Sequence, residues 1–318
     1  MKIPPALILF VLAPAIAELL SGSSPPAEFF NPIGFLLLVS LYGSGALIVR
    51  ELKVRWNKGY ISMFVLGAAY GILEEGLMVK SFFDPNWMDL GILGSYGRWM
   101  GVNWVWAEWL TIYHAIFSIT IPITLVELAY IKRRNESWIG NKTFVTLLLL
   151  LGTVTALGYF ALTPYRPPTS LYTLTIILVI ALTFTAWKIP SNTGKKGKIK
   201  PPSPSKLFLT GFLFTLGIFM LFMAGPFLIS QPPALMVLGF LLVYAMAKFL
   251  KMYKWNKETL YHKFSLTAGA LGFLIVLAPL QELDASRPDD PRGMTIVGIV
   301  SLILLLLLAK RIQKERVK

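Results

Sequence analysis

The sequence predicts an all-α polytopic membrane protein with about ten transmembrane helices and with both termini on the cytoplasmic side. Of the 318 residues, 55% are hydrophobic and only 14% are charged. Apolar runs long enough to cross a hydrocarbon core of about 30 Å recur along the whole chain. Short connecting segments between these runs alternate between basic and acidic or uncharged. The lipid bilayer is therefore the first partner that the sequence predicts.

The apolar runs predict ten spans. The first run has some features of a signal peptide, but its prolines and Glu18 favour an uncleaved helix. Prolines in most of the loops on the opposite side stop the helices near the membrane surface. The approximate span cores are residues 3–20, 33–50, 60–80, 103–127, 143–162, 170–188, 206–229, 233–250, 264–282 and 294–309.

Lysine and arginine concentrate in every second connecting segment. Cytoplasmic loops carry an excess of these residues, so the alternation predicts an even number of spans in a multi-pass protein of the cell membrane. The net charge of +14 is spread over short loops rather than one patch, which argues against a nucleic acid partner. The basic segments are residues 50–58, 131–142, 188–206, 248–263 and the tail 310–318.

A basic segment rich in Pro, Gly and Ser divides the chain. Residues 189–205 have the composition of a disordered or extended cytoplasmic linker. The predicted division is therefore a six-helix membrane unit at 1–188, this linker, and a four-helix membrane unit at 206–318. The polar residues discussed below all fall in the first unit.

The composition excludes several kinds of site. The chain has no cysteine, which rules out disulfides, thiol nucleophiles and cysteine-ligated metals. It has two histidines, too few for a metal site built on several of them. No glycine-rich phosphate loop is present. The sequence assigns no metal ligand, and it leaves the identity of any cofactor open.

Glu74 and Glu75 are adjacent inside a hydrophobic stretch at 60–83. A charged carboxylate near the centre of a membrane helix costs roughly 2.5–3.5 kcal/mol. Ionisable residues at such positions are a functional hypothesis by default. Two neighbouring carboxylates in a poorly hydrated site do not both ionise easily, so the pair can offer an acid and a base.

Three further polar residues are expected near this pair. At a rise of about 1.5 Å per residue, Glu108 lies level with the pair, His114 lies near the midplane, and Glu18 ends the first span. His114 and Ser118 are four residues apart and share a helix face. These groups predict a cavity open to the outer side, in which Glu74, Glu75, His114 and Glu108 are the candidate catalytic residues.

The surroundings of the pair leave two interpretations open. Gly67 and Gly71 let a neighbouring helix approach, which predicts that the pair faces protein rather than lipid. The alternative to a functional site is a structural polar network, in which tryptophan N–H groups, Lys80 or Arg98 satisfy the carboxylates. Likewise, the aromatic outer loop at 81–102 is either an interfacial belt or a lid over a cavity.

Two motifs resemble the CPBP superfamily of intramembrane glutamate proteases, which includes CAAX-protease-like and bacteriocin-processing proteins. Glu74 and Glu75 match the first motif, a glutamate pair followed by a basic residue, with Lys80 one position late. The segment from Leu110 to His114 matches the second, with leucine in place of phenylalanine. The third, histidine-containing motif has no match. The resemblance implies a peptidase in which Glu74 is the base that activates water.

The sequence leaves three functions in competition. The first is a glutamate-dependent, peptidase-like intramembrane hydrolase that acts on a membrane-embedded peptide. The second is a proton- or cation-coupled transporter of small solutes, in which Glu18, Glu74, Glu75, Glu108 and His114 form a relay. The third is a membrane scaffold without chemistry. The sequence indicates neither the substrate nor the oligomeric state.

Overall fold

A computed structural model describes residues 3–191, 197 and 199–317, with side chains to 314. The chain is 74% helical, which confirms the prediction of an all-α polytopic membrane protein. Two strands of two residues each, β1 (Arg98–Trp99) and β2 (Val102–Asn103), form an antiparallel hairpin in the outer loop. Two short 3₁₀ turns, Gly91–Gly94 and Ile131–Arg133, complete the regular structure of the described residues.

The helices follow the predicted spans closely. Proline occupies one of the first two positions of several of them, where its missing N–H would have no partner in any case. The helices are α1 (Pro5–Leu20), α2 (Pro26–Phe29), α3 (Pro32–Arg55), α4 (Tyr60–Met78), α5 (Trp104–Ala129), α6 (Asn141–Leu162), α7 (Thr169–Lys188), α8 (Pro204–Met223), α9 (Gly225–Leu228), α10 (Pro232–Met252), α11 (Leu260–Glu282) and α12 (Met294–Val317).

Nine helices in the described part of the chain are long and apolar enough to cross a membrane. The tenth predicted span, α1, has sixteen residues. At a rise of about 1.5 Å per residue it is roughly 24 Å long, shorter than a typical hydrocarbon core. It is nevertheless an inner helix, because Leu9, Ala13 and Ala17 are completely buried.

The bundle has a buried centre and a lipid-facing periphery. In α4 and α5 the most apolar stretches are 72% and 78% buried, and in α3 and α11 they are 56% buried. The same stretches of α7, α10 and α12 are only 11% buried, so these helices turn most of their apolar surface outward. The glutamate pair and His114 therefore lie on the two most enclosed long helices.

Five helices in the described part of the chain contain a π-helical turn. Such turns are rare, and they are frequent at functional sites. The turn in α1 directly follows Pro14, and the turn in α5 ends directly before Ile121 and Pro122, where the missing N–H weakens regular α-helical bonding. The π turns are Ala15–Leu20, Val39–Gly43, Leu73–Met78, His114–Thr120 and Gly158–Leu162.

Helices from both sides of the linker pack together. α8 packs chiefly on α11, and α11 packs on α12 and α5, while α10 contacts α5 and α12 contacts α1. Within the linker, residues 192–196 and 198 lie outside the described residues. Ile199 is extended and forms a parallel bridge with Tyr253 at the end of α10. The division into units at 1–188 and 206–318 stays a prediction.

A second polar cluster lies at the predicted cytoplasmic end of the bundle. Arg50 and Glu51 are completely buried and form an ion pair of 2.7 Å. The Lys53 ammonium is 2.7 Å from Glu127 on α5. The Arg50 guanidinium also lies 3.6 Å from the ring centroid of Trp138. The predicted basic loop at 50–58 is thus partly helical, since α3 continues to Arg55 with its first charges neutralised inside the protein.

Candidate functional site

Glu74, Glu75 and His114 meet inside the bundle. The pair belongs to the π turn that ends α4, and His114 begins the π turn of α5. His114 Nε2 lies 3.0 Å from Glu75 Oε1, and His114 Nδ1 lies 3.4 Å from Glu74 Oε2. The two carboxylates therefore lie beside opposite nitrogens of one imidazole ring. We call these three side chains the Glu–Glu–His cluster.

Glu75 is fixed by the segment that leaves α4. The Ser81 hydroxyl donates a short hydrogen bond to Glu75 Oε2. Ser81 in turn accepts a hydrogen bond of 3.0 Å from the Trp106 indole N–H. The Asn103 side-chain amide donates to the Ser81 carbonyl at 3.2 Å. The outer loop is thus joined to the cluster through Ser81, and both ends of this loop are held beside it.

His114 is oriented by a hydroxyl and by aromatic rings. Ser118 Oγ lies 2.9 Å from His114 Nδ1, as their shared helix face predicted. The imidazole stacks on the Tyr42 ring at a centroid distance of 6.0 Å and meets the edges of Tyr70 and Tyr113. These contacts leave the ring little freedom to rotate.

Glu74 differs from Glu75 because one of its oxygens has no hydrogen bond. Its Oε2 atom is buried and accepts no hydrogen bond of good geometry, although the Tyr42 and Tyr70 hydroxyls lie near this carboxylate. Buried polar groups without partners are uncommon, and each calls for a physical explanation. An acceptor held in this way beside an imidazole is suited to bind a water molecule, a cation or a reacting group.

Glu18 connects to the cluster through Tyr42. The Tyr42 hydroxyl donates a short hydrogen bond to Glu18 Oε1, and the Ser24 hydroxyl donates to Oε2 at 2.7 Å. Because the Tyr42 ring stacks on His114, Glu18 is a neighbour of the site rather than a member of it. The sequence predicted Glu18 nearby but gave no indication of Tyr42, since a tyrosine in an apolar span gives no signal by itself.

Glu108, the fourth predicted residue, lies apart from the Glu–Glu–His cluster. Its Oε1 atom is 3.0 Å from the position that a Cβ at Gly239 of α10 would take. Six residues separate Glu108 from His114, which is about 240° around a helix axis. Equal depth in the membrane therefore does not bring Glu108 to the face of α5 that meets α4.

The basic residues that could have neutralised the glutamate pair bind elsewhere. The Lys80 ammonium donates to the carbonyls of Tyr159 and Thr163, at 2.9 and 3.1 Å, and so caps the end of α6. Arg98 donates to Asn103 and to the Phe83 carbonyl. Among the interpretations of the polar network, only the tryptophan N–H is realised, and it acts indirectly through Ser81.

The cluster is closed in this structure. Glu74 is 4% exposed, Glu75 8% and His114 2%. The sequence predicted a cavity open to the outer side, but Ser81 and Trp106 cover Glu75 from that side. Elsewhere in the outer loop Met88 and Met100 are strongly exposed, whereas Leu93 is buried. The cluster is therefore shielded from solvent in this conformation.

Gly67 and Gly71 let α5 approach α4, as predicted. A Cβ at Gly67 would lie 2.9 Å from the Ala115 Cα, and one at Gly71 would lie 2.8 Å from the His114 Cβ. Real Cβ atoms do not come this close. These two glycines therefore set the distance between the helices, and with it the distance between His114 and the glutamate pair.

We expect Gly71→Ala to push His114 away from the glutamates and to destabilise the protein by about 1–3 kcal/mol, as overpacking of a core does. Denaturant unfolding in micelles measures the change. Gly152→Ala is the matched control, because nothing lies within 4 Å of a Cβ there. That change should stabilise α6 by about 0.5–1 kcal/mol. Equal effects of the two changes would contradict the close approach.

The cluster also has the composition of a small metal site. One donor atom from each of the three side chains can be chosen so that all three lie within 4.8 Å of one another. Chemically, the arrangement can transfer protons between two carboxylates and an imidazole, orient a water molecule, or hold a cation.

The comparisons with known proteins concern the whole chain rather than the site. A model described as "Uncharacterized membrane protein family" matches residues 7–314. An "Uncharacterized protein" of Archaeoglobus fulgidus is 26% identical over 223 residues, which are 68% of this chain and 66% of the relative, just under two thirds of its length. No solved structure matches the chain. The resemblance to the CPBP superfamily is not confirmed by these matches.

Proposed function

For this chain, which belongs to the uncharacterized membrane protein family matched above, we propose an intramembrane hydrolase of the cell membrane that cleaves a membrane-embedded peptide. The Glu–Glu–His cluster activates the water, and the site opens to the outer side. The observation that carries the proposal is the buried Glu74 oxygen without a hydrogen bond, placed 3.4 Å from an imidazole nitrogen.

The three side chains have distinct roles in the proposed reaction. Glu74 takes a proton from water while the water oxygen bonds to the substrate carbonyl carbon. His114, protonated and held by Glu75 and Ser118, stabilises by its positive charge the oxyanion that forms. The carbon–nitrogen bond then breaks, and Glu74 returns the proton to the departing amine. Glu75 positions the imidazole and balances its charge.

Two features favour this chemistry over a purely structural network. A structural network would be expected to satisfy its buried acceptors, yet Glu74 Oε2 accepts no hydrogen bond of good geometry. In addition, Glu18, Tyr42, the glutamate pair and His114 all lie on π turns. Such turns cost regular hydrogen bonds and are frequent at functional sites. The peptide as substrate class follows from the motif resemblance alone.

The test is hydrolysis by the purified protein in liposomes, with a panel of membrane-embedded peptides in water labelled with heavy oxygen. New carboxyl termini should contain the label, because the water oxygen bonds to the carbonyl carbon. His114→Gln should lower the turnover number by about 10²–10³-fold, the usual loss for an oxyanion donor.

His262→Gln is the matched control, because the second histidine lies at the other end of the bundle, in the first turns of α11. This variant should cleave like the wild type. Cleavage that survives His114→Gln undiminished would contradict the proposed site. Transport of a solute across the liposome membrane without any cleavage would instead support the carrier interpretation.

A further inference from the structure

We propose that Glu74, Glu75 and His114 bind one divalent cation of the zinc, iron(II) or manganese(II) class. The inference concerns the cluster of the proposed hydrolase and rests on that function only for the role of the cation in catalysis. Binding itself can be measured without any substrate, so the two proposals can fail separately.

The hydrogen bonds of the ring leave Glu74 without a donor. Glu75 Oε1 lies 3.0 Å from His114 Nε2 and Ser118 Oγ lies 2.9 Å from Nδ1, so one N–H and one lone pair satisfy both nitrogens of a neutral imidazole. Glu74 Oε2 lies 3.4 Å from Nδ1 and accepts no hydrogen bond. A cation in the cluster would give this oxygen a partner.

Charge favours the same conclusion. Two neighbouring carboxylates in a poorly hydrated site ionise together only if positive charge compensates them. Within the described residues, neither Glu74 nor Glu75 forms an ion pair with a lysine or an arginine. A net charge buried in a protein interior carries a desolvation cost of several kcal/mol. One divalent cation bound by two carboxylates and a neutral imidazole brings the sum to zero.

The distances between the ligand atoms also fit a metal site. In a tetrahedral zinc site the metal lies about 2.0–2.2 Å from its nitrogen and oxygen ligands, which places the ligand atoms about 3.4 Å apart. Glu75 Oε1 and His114 Nε2 are 3.0 Å apart, and the complete set fits within 4.8 Å. Glu74 Oε2 is free to turn toward the cation because it has no hydrogen bond to break.

The neighbours of the cluster match the supporting contacts of known metal sites. Ligating side chains are usually held by further hydrogen bonds that fix their orientation. Here Ser118 occupies the Nδ1 side of His114, which leaves Nε2 to ligate. Ser81 binds the Glu75 oxygen that does not face the ring. Both outer partners are completely buried.

The donor set selects the class of cation. Imidazole favours zinc and the neighbouring transition metals, whereas magnesium and calcium prefer oxygen ligands throughout. Three protein ligands leave an open position for water, as in catalytic zinc sites. A singly coordinated Glu74 keeps one oxygen to accept the proton of that water. The cation would then stabilise the oxyanion in place of His114.

The experiment is metal analysis of the purified protein in micelles, followed by calorimetric titration of the metal-free protein with zinc and manganese salts. We expect about one cation per chain, and magnesium at the same concentration should not compete. Ser118→Ala should weaken binding by about 10–100-fold, the usual effect of losing an outer partner of a ligand. Glu75→Gln should weaken binding further, and His262→Gln should leave it unchanged.

Ser118→Ala removes one hydroxyl, so it provides a test even if Glu75→Gln does not fold. Absence of bound metal and of a titration signal in the folded wild type would overturn the proposal, as would binding that neither variant weakens. Hydrolysis that persists in metal-free protein would overturn the role of the cation in catalysis and keep the hydrolase. Stoichiometric binding without cleavage of any peptide would keep the cation site and overturn the hydrolase.

Discussion

We expect Glu74→Gln to abolish hydrolysis while the protein remains folded. The amide of glutamine has nearly the size and shape of the carboxylate, but it cannot accept the proton of the attacking water. Loss of a general base lowers the turnover number by about 10²–10⁴-fold. Because Glu74 Oε2 makes no hydrogen bond, the change breaks none at this atom. Cleavage rates in liposomes give the effect, and circular dichroism with thermal unfolding verifies the fold.

Glu136→Gln is the matched control for this change. Glu136 is a carboxylate in the loop between α5 and α6, and its side chain is 62% exposed. Its replacement should leave the cleavage rate at the wild-type value. Full activity in Glu74→Gln would end the proposed role of Glu74, whatever happens in the other variants.

We expect Arg50→Met to destabilise the protein by about 3–5 kcal/mol, the usual cost of removing one partner from a buried ion pair. The change leaves the Glu51 carboxylate completely buried, with Arg55 at 3.4 Å as its remaining ion-pair partner. The hydrogen bonds that Glu51 accepts from the Ser137 hydroxyl and the Trp138 backbone N–H do not neutralise its charge. It also removes the donors to two carbonyls that follow α5. Denaturant unfolding in micelles measures the loss.

Arg133→Met provides the comparison, because this arginine forms an exposed ion pair of 3.5 Å with Glu136. Exposed pairs contribute about 0.2–1 kcal/mol, so the loss should be much smaller. Cleavage by the residual folded protein should stay normal in both variants, since Arg50 lies at the opposite end of the bundle from the cluster. Similar losses of stability in the two variants would show that burial of Arg50 adds nothing.

Hydropathy located the helices well because the backbone of a spanning segment must form its hydrogen bonds without water. No water is available to the N–H and C=O groups in the hydrocarbon core, so each spanning segment must satisfy them internally as a helix. The predicted core at 60–80 therefore corresponds to α4, and the core at 103–127 corresponds to α5. At α1 the structure differs from the prediction in the length of the helix. A helix that is buried among other helices does not have to cross the whole hydrocarbon core.

Depth estimates were less informative than helix faces. A uniform rise placed Glu108 level with the glutamate pair and His114 below it, whereas His114 contacts the pair and Glu108 contacts α10. The spacing of six residues between Glu108 and His114 already indicated different faces of one helix. The π turns had no recognisable signal in the sequence, apart from the prolines beside two of them.

The sequence by itself determined the class of the protein, the positions of its spans and the presence of two costly carboxylates among apolar residues. These properties depend on local composition, because the bilayer acts on each spanning segment separately. Only the tertiary structure decided that both glutamates lie beside one imidazole, that Lys80 and Arg98 bind other groups, and that the cluster is closed. Those outcomes depend on how helices rotate and approach one another, and on hydrogen bonds between residues far apart in the chain.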